Sequence, residues 1–290
     1  MFEGMQKLEV KTPGGVFSGV VGGAGPAVLL LHGYPQTHLT WRRVAPALVG
    51  RYTVVVPDLP GYGDSTAAQD GERWTKRRAA RSLVDMMGQL GHARFAVVGH
   101  DRGARVGYRL ALDHPSLVAA YASLTVIPTL DAWTGVNKAF AMNAFHWFML
   151  AQPHDLPERL LAADPDAFID AALTHMAGSL DRFEPEVLEA YRGAFRKPSV
   201  RHAICEDYRA AANEDEQYDT ADRASGHRLA CPVLVLWPER SRAPRTPLEI
   251  WRDWAGDVEG RAISGGHLQP EFSTEEVVEN LLPFLERTMR

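Results

Sequence analysis

Cysteine is scarce: Cys205 and Cys231 are the only two among 290 residues. Two thiols could pair, but they imply no disulfide framework, and reduced core thiols are the expectation. Long apolar runs are missing too. None reaches the roughly 18 residues a membrane span needs, and Met1 to Gly15 lacks the basic-then-apolar pattern of an export signal. Basic charge is also short, with 31 Lys and Arg against 36 Asp and Glu and a net charge of −5. No overall field then argues for nucleic acid or anionic lipid, so an anionic substrate must be drawn by local arginines. Together these absences predict a cytoplasmic protein with no nucleic-acid and no membrane partner.

What is present is a series of short buried runs. Ala27 to Leu31 is continuously apolar and ends at His32-Gly33; Tyr52 to Val56 ends at Pro57; Phe95 to Val98 is a third. Such runs read as strands covered on both faces rather than half-exposed ones. Ala119 to Val126 and Pro232 to Trp237 fit two more strands. Apolar residues at helical spacing fill Trp74 to Leu90, Ala104 to Leu112 and Thr274 to Leu285. Strands alternating with helices predict a mostly parallel sheet with helices on both faces. From Pro128 to about Arg228 the alternation stops. Helical spacing broken by Pro153, Pro157, Pro165, Pro185 and Pro198 predicts a helical insertion over the active edge of the sheet.

The chemistry concentrates in Gly99-His100-Asp101-Arg102-Gly103-Ala104-Arg105, which follows a strand and opens a helix. Gly-x-Asp-x-Gly has the spacing of a nucleophile elbow with Asp in the place of Ser. Glycine on both sides gives the tight turn its steric room. A helix N-terminus favours an anion, so Asp101 is expected to stay ionised. A carboxylate can attack an sp³ carbon and form an alkyl ester; the competing reading is a plain Asp N-cap. His32-Gly33-Tyr34-Pro35 follows an earlier strand, and the backbone N–H groups of Tyr34 and Arg102 are the expected oxyanion donors. Gly265-Gly266-His267 precedes the last helix, where His267 is placed to activate water.

These strings, with Gln36-Thr37-His38, Asp58-Leu59-Pro60-Gly61-Tyr62-Gly63-Asp64-Ser65, His146-Trp147 and Cys205-Glu206-Asp207-Tyr208-Arg209, resemble the fluoroacetate dehalogenases over nearly the whole chain. The resemblance implies an α/β-hydrolase fold with core segments 1–127 and 229–290 around a helical cap, 128–228. It implies that Arg102 and Arg105 grip the carboxylate of a small haloacid, a task suited to guanidinium forks. His146 and Trp147 would donate N–H groups to the leaving halide, and a homodimer through the cap would follow. Neither metal nor organic cofactor is expected, only water and the halogenated carboxylate.

Two positions depart from that pattern. Where the family has its triad aspartate, the string Leu124-Thr125-Val126-Ile127-Pro128-Thr129 carries Thr125, which cannot bear the charge that orients a protonated His. Related folds use an acid after the later strand, and there Ser241 stands. Glu239 is the nearest carboxylate and the expected substitute, with Asp131 a weaker candidate. An ungapped alignment puts Asn213 where the family has a third halide donor, a tyrosine, with Tyr218 a nearby alternative. Competing readings are an epoxide hydrolase, or a degenerate carboxylate-binding protein with weak or no turnover. A serine-type esterase is disfavoured by the Asp at the elbow.

Overall fold

The computed structural model describes residues 1–239 and 244–289. Its strands are β1 (Met5–Thr12), β2 (Gly15–Gly22), β3 (Ala27–Leu31), β4 (Thr53–Pro57), β5 (Phe95–His100), β6 (Val118–Leu124), β7 (Val233–Pro238) and β8 (Val258–Ile263). They form one eight-stranded sheet in the order β1-β2-β4-β3-β5-β6-β7-β8. The β1–β2 and β2–β4 pairs are antiparallel and the rest are parallel. The helices outside the insertion are α1 (Ala45–Leu48), α2 (Lys76–Gln89), α3 (Arg102–Asp113), α12 (Pro247–Trp251), α13 (Gln269–Phe272) and α14 (Thr274–Thr288). Between β6 and β7 lie α4 (Thr129–Thr134), α5 (Lys138–Asn143), α6 (Phe145–Leu150), α7 (Leu156–Ala163), α8 (Pro165–Ala177), α9 (Pro185–Phe195), α10 (Pro198–Ala211) and α11 (Glu214–Ser225).

Side-chain alternation explains why the central strands are apolar throughout. In β3, Val28 and Leu30 face one core while Leu29 and Leu31 face the other; in β5, Ala96 and Val98 oppose Phe95 and Val97 in the same way. Each face needs its own apolar cover. Leu83, Met86, Val106 and Leu110 of α2 and α3 supply one side; Ala45, Leu48, Val277, Leu281 and Phe284 of α1 and α14 supply the other. Burying each large aliphatic side chain contributes about 1.5–3 kcal/mol. The insertion joins the α2–α3 side: Trp147, Leu150, Leu161, Ile169 and Tyr208 belong to that same core.

Three strands escaped sequence reasoning. β1 and β8 are edge strands in which only a few side chains are buried. β2 pairs with β1 as a hairpin, and glycines and a serine interrupt its apolar residues. None of the three makes a continuous apolar run. No helix of the described residues is long and apolar enough to cross a membrane.

Candidate active site

Parallel sheets present their ligand sites at the carboxyl ends of the strands. Asp101 sits there, between β5 and α3, with φ 48°. A non-glycine residue in that region costs on the order of 1–3 kcal/mol, which surrounding structure must hold in place. A Cβ on Gly99 would lie 2.4 Å from the Ala104 Cα, and one on Gly103 would lie 2.3 Å from the His32 carbonyl oxygen. Only glycine lets the turn close so tightly.

Geometry separates the two readings of Asp101. It occupies the N-cap position of α3, yet its side chain makes no capping hydrogen bond. Its Oδ2 instead accepts the Tyr34 backbone N–H at 2.9 Å, and its Oδ1 lies 3.9 Å from His267 Nε2. Burial alone would raise the Asp101 pKa, but His267, Arg102, His100 and Arg105 more than offset it and hold the carboxyl below its ordinary value. The group is thus an ionised carboxylate, 6% exposed and aimed at an imidazole.

The two arginines differ. Arg102 is fully buried and tied to Asp207 of α10 through the carboxylate and, at 2.9 Å, the carbonyl oxygen. Lys76 also binds that carboxylate. Burial opposes ionisation of Asp207, but Arg102 and Lys76 prevail and hold it at about 2. Arg105 has no such counter-ion: among the described residues its hydrogen-bond partner is Thr129 Oγ1, at 3.1 Å from Nη1. Burial, then the nearby Arg102 charge, lower its pKa. Among the described residues, each guanidinium keeps one buried nitrogen without a partner, Nη1 on Arg102 and Nε on Arg105. Arg105, with no carboxylate in hydrogen-bonding contact among the described residues, leaves a place for an anion beside Asp101.

Four aromatic rings close the insertion side. The His146 ring stacks on Tyr34 with centroids 5.3 Å apart, and burial pushes its pKa down to about 4, so it is neutral at pH 7. Trp147 is 8% exposed, with the Arg105 guanidinium 4.9 Å from its ring centroid. Between them stands Tyr208, buried, 5.5 Å from Tyr34, 5.7 Å from His146 and 6.1 Å from Trp147, with the Arg102 guanidinium 4.2 Å over its ring.

Two expectations are corrected here. Asn213 does not join this cluster; it precedes α11 and its amide donates to the Arg209 carbonyl at 2.8 Å. Tyr218 is elsewhere, under Arg77. Glu239 does not reach His267: it is exposed just past the end of β7, and its backbone N–H donates to the Ile263 carbonyl. Asp131 is taken by Arg223 and the Trp254 indole. Ser241 lies outside the described residues. Among those residues, the carboxylate within ion-pair reach of His267 is Asp101 itself.

Burial lowers the His267 pKa and Asp101 opposes the change, leaving a neutral base at pH 7. Its carbonyl oxygen faces His100 Nε2 at 2.8 Å, which anchors the loop to the elbow. Thr125 sits just past β6 with φ 73°, and its hydroxyl is buried without a partner among the described residues. Asp207, Tyr208 and the His100 anchor are functional candidates that spacing alone missed. Asp207-Tyr208 stood in a recognised string, but nothing local showed where α10 would fold back.

A family model described as the alpha/beta hydrolase fold matches residues 26–269. A Burkholderia fluoroacetate dehalogenase is 39% identical, the match covering 98% of this chain and 95% of that protein. A soluble epoxide hydrolase of Corynebacterium strain C12 is 30% identical, covering 91% and 92%. A Pseudomonas aeruginosa structure, provisionally named an epoxide hydrolase, is 56% identical with TM-score 0.97, covering 99% and 97%. A threonine-to-aspartate mutant of that protein has been solved with bound MFA, at TM-score 0.96.

Proposed function

Because the chain belongs to the alpha/beta hydrolase family and is an enzyme of that class, we propose that it hydrolyses the carbon–halogen bond of a small 2-haloacid of the fluoroacetate or chloroacetate type. The observation that carries this reading is the pair of buried guanidiniums beside Asp101, each with a nitrogen that has no partner among the described residues. A substrate carboxylate would satisfy both groups and give Arg105 the directly bonded counter-ion it lacks among the described residues.

With that carboxylate held, the α-carbon comes next to Asp101. Oδ2 is engaged by the Tyr34 N–H, so Oδ1 is the attacking oxygen. Its lone pair forms the O–C bond as the C–X bond breaks, and the halide leaves with the bonding electrons. The Trp147 and His146 N–H groups, together with the Tyr208 O–H, are the donors for the developing halide. Water then loses a proton to His267 Nε2 and adds to the Asp101 ester carbon. The charge that develops on Oδ2 falls at the Tyr34 N–H. Collapse expels the 2-hydroxyacid alkoxide, which recovers the proton from His267. No metal or organic cofactor enters these steps.

A second reading, epoxide opening by the same carboxylate, draws on the epoxide hydrolase relatives and on Tyr208, an insertion tyrosine standing over the site. The experiment is incubation with fluoroacetate, chloroacetate and a small epoxide, following free halide and intact mass. Steady halide release supports the dehalogenase. Diol formation without halide release supports the epoxide reading. A stable mass adduct on Asp101 shows attack without ester cleavage, and no reaction with any substrate leaves a carboxylate-binding protein.

A further inference from the structure

On the insertion, away from the elbow, His154, Glu158 and His202 converge from the loop before α7, from α7 itself and from α10. The Nδ1 atoms of His154 and His202 lie 3.3 and 3.1 Å from the same oxygen, Glu158 Oε1. The two rings are near perpendicular with centroids 5.4 Å apart. We propose that these three side chains form a binding site for a divalent transition metal of zinc's chemistry, one per chain.

The donor set carries the identification. Two imidazole nitrogens and one carboxylate oxygen suit zinc, cobalt or nickel, whereas calcium and magnesium prefer oxygen alone. Metal–ligand bonds of about 2.0–2.2 Å at tetrahedral angles place ligand atoms roughly 3.3 Å apart, close to the separation of each imidazole Nδ1 from Glu158 Oε1, and all three ligand atoms lie within 4.8 Å of one another. The carboxylate is prepared for the role. Arg209 donates to both of its oxygens, at 2.7 and 2.8 Å, and fixes its plane.

Arg209 is also the chief opposing force, since a cation beside a guanidinium is repelled. Glu206 weakens that repulsion by accepting from the same Arg209 Nη1 at 2.7 Å. An outer group that orients a metal ligand is a common arrangement. Three protein ligands leave a fourth position for water, because His154 is 64% exposed at its side chain. The metal would staple α7 to α10, the helix whose Asp207 and Tyr208 reach the elbow.

Chelator-treated protein is titrated with Co²⁺ by visible absorption and with Zn²⁺ by calorimetry and thermal melting, alongside His154→Gln, His202→Gln and a control, His227→Gln. His227 belongs to a different exposed His–Asp pair. The expected result is one metal per chain, tetrahedral-intensity cobalt bands displaced by zinc, and a melting temperature raised by zinc. Both site variants should bind at least tenfold more weakly and lose the thermal shift, while His227→Gln binds like the parent. Absence of binding, or equal binding by the parent and both site variants, overturns the proposal.

Discussion

Replacing Arg105 by methionine should move activity and stability in opposite directions. In the free protein the change removes one hydrogen bond to Thr129, about 1 kcal/mol, and a desolvated cation–π contact with Trp147, about 2 kcal/mol. It also removes a buried N–H that is unsatisfied among the described residues, a relief of about 1–3 kcal/mol, and a desolvated cation with no hydrogen-bonded counter-ion among them, several kcal/mol more. The net is stabilisation of about 1–2 kcal/mol, and each kcal/mol corresponds to about 2–4 °C in a domain approaching this size. Thr129 keeps its hydroxyl partner, because the Tyr108 hydroxyl bridges Thr129 Oγ1 at 2.8 Å and Asp219 at 2.7 Å. In the substrate complex the loss is one charge-assisted hydrogen bond, about 1.5–3 kcal/mol, or roughly 10- to 150-fold in kcat/KM.

Arg102→Met is the control for that reasoning. It breaks a buried ion pair and leaves Asp207 with Lys76, so it should destabilise by about 3 kcal/mol, the low end for such a loss, besides impairing turnover. Initial rates of halide release and thermal melting of both variants make the comparison. If Arg105→Met destabilises as much as Arg102→Met, Arg105 is a structural cation. If it turns over at the parent rate, the substrate carboxylate does not bind there.

Asp101→Asn should abolish halide release and leave no mass adduct; undiminished turnover would reject the nucleophile. Thr125→Asp should speed ester cleavage, by up to about 10⁴-fold on the serine-protease precedent; an unchanged rate of adduct decay in single-turnover mass measurements would mean His267 needs no carboxylate from that position. Ester cleavage requires neutral His267, whose pKa burial sets below 6.5, so its rate should hold as pH falls through 6.5 and drop only below it; a midpoint at or above 6.5 would contradict this. His100 is buried and its pKa is lowered to about 4, so from pH 6.5 down to 4 the unfolded chain takes up a proton that the folded chain refuses. Stability should fall over that window by up to about 3 kcal/mol from this group, and a flat urea midpoint between those pH values would refute it.

The parts of the molecule legible in sequence are those whose evidence is local. β3 and β5 announce themselves because strands covered on both faces must be apolar at every position. Asp101, Arg102 and Arg105 could be placed because one turn of chain fixes their spacing. Tyr208 and Asp207 could not, because the Arg102–Asp207 contact spans 105 residues and depends on how the insertion folds back. Glu239 failed for a related reason: chain position put a carboxylate at the correct strand end, but β7 delivers its side chain to the surface. β8 stayed hidden because an edge strand buries few side chains and so prints no apolar run.

The two halves of the proposed reaction are unequally equipped, and the backbone indicates where the shortfall lies. Attack has an ionised carboxylate and a two-arginine cradle, and the Tyr34 N–H serves the oxyanion of ester cleavage. Ester cleavage has a neutral imidazole with no orienting carboxylate among the described residues. Thr125 stands after β6 at φ 73°, a conformation that asparagine and aspartate tolerate far better than a β-branched residue. Its hydroxyl is buried without a partner among the described residues. The fold therefore maintains a turn suited to a short polar acid while a threonine occupies it. Formation of the Asp101 ester should then outrun its hydrolysis, giving a burst of halide equal to the enzyme concentration before a slow steady rate. Thr125→Asp should shrink the burst relative to the steady phase, because it relieves local strain and supplies the missing charge together. If halide release is linear from the first turnover in the parent protein, ester hydrolysis is not the slow step.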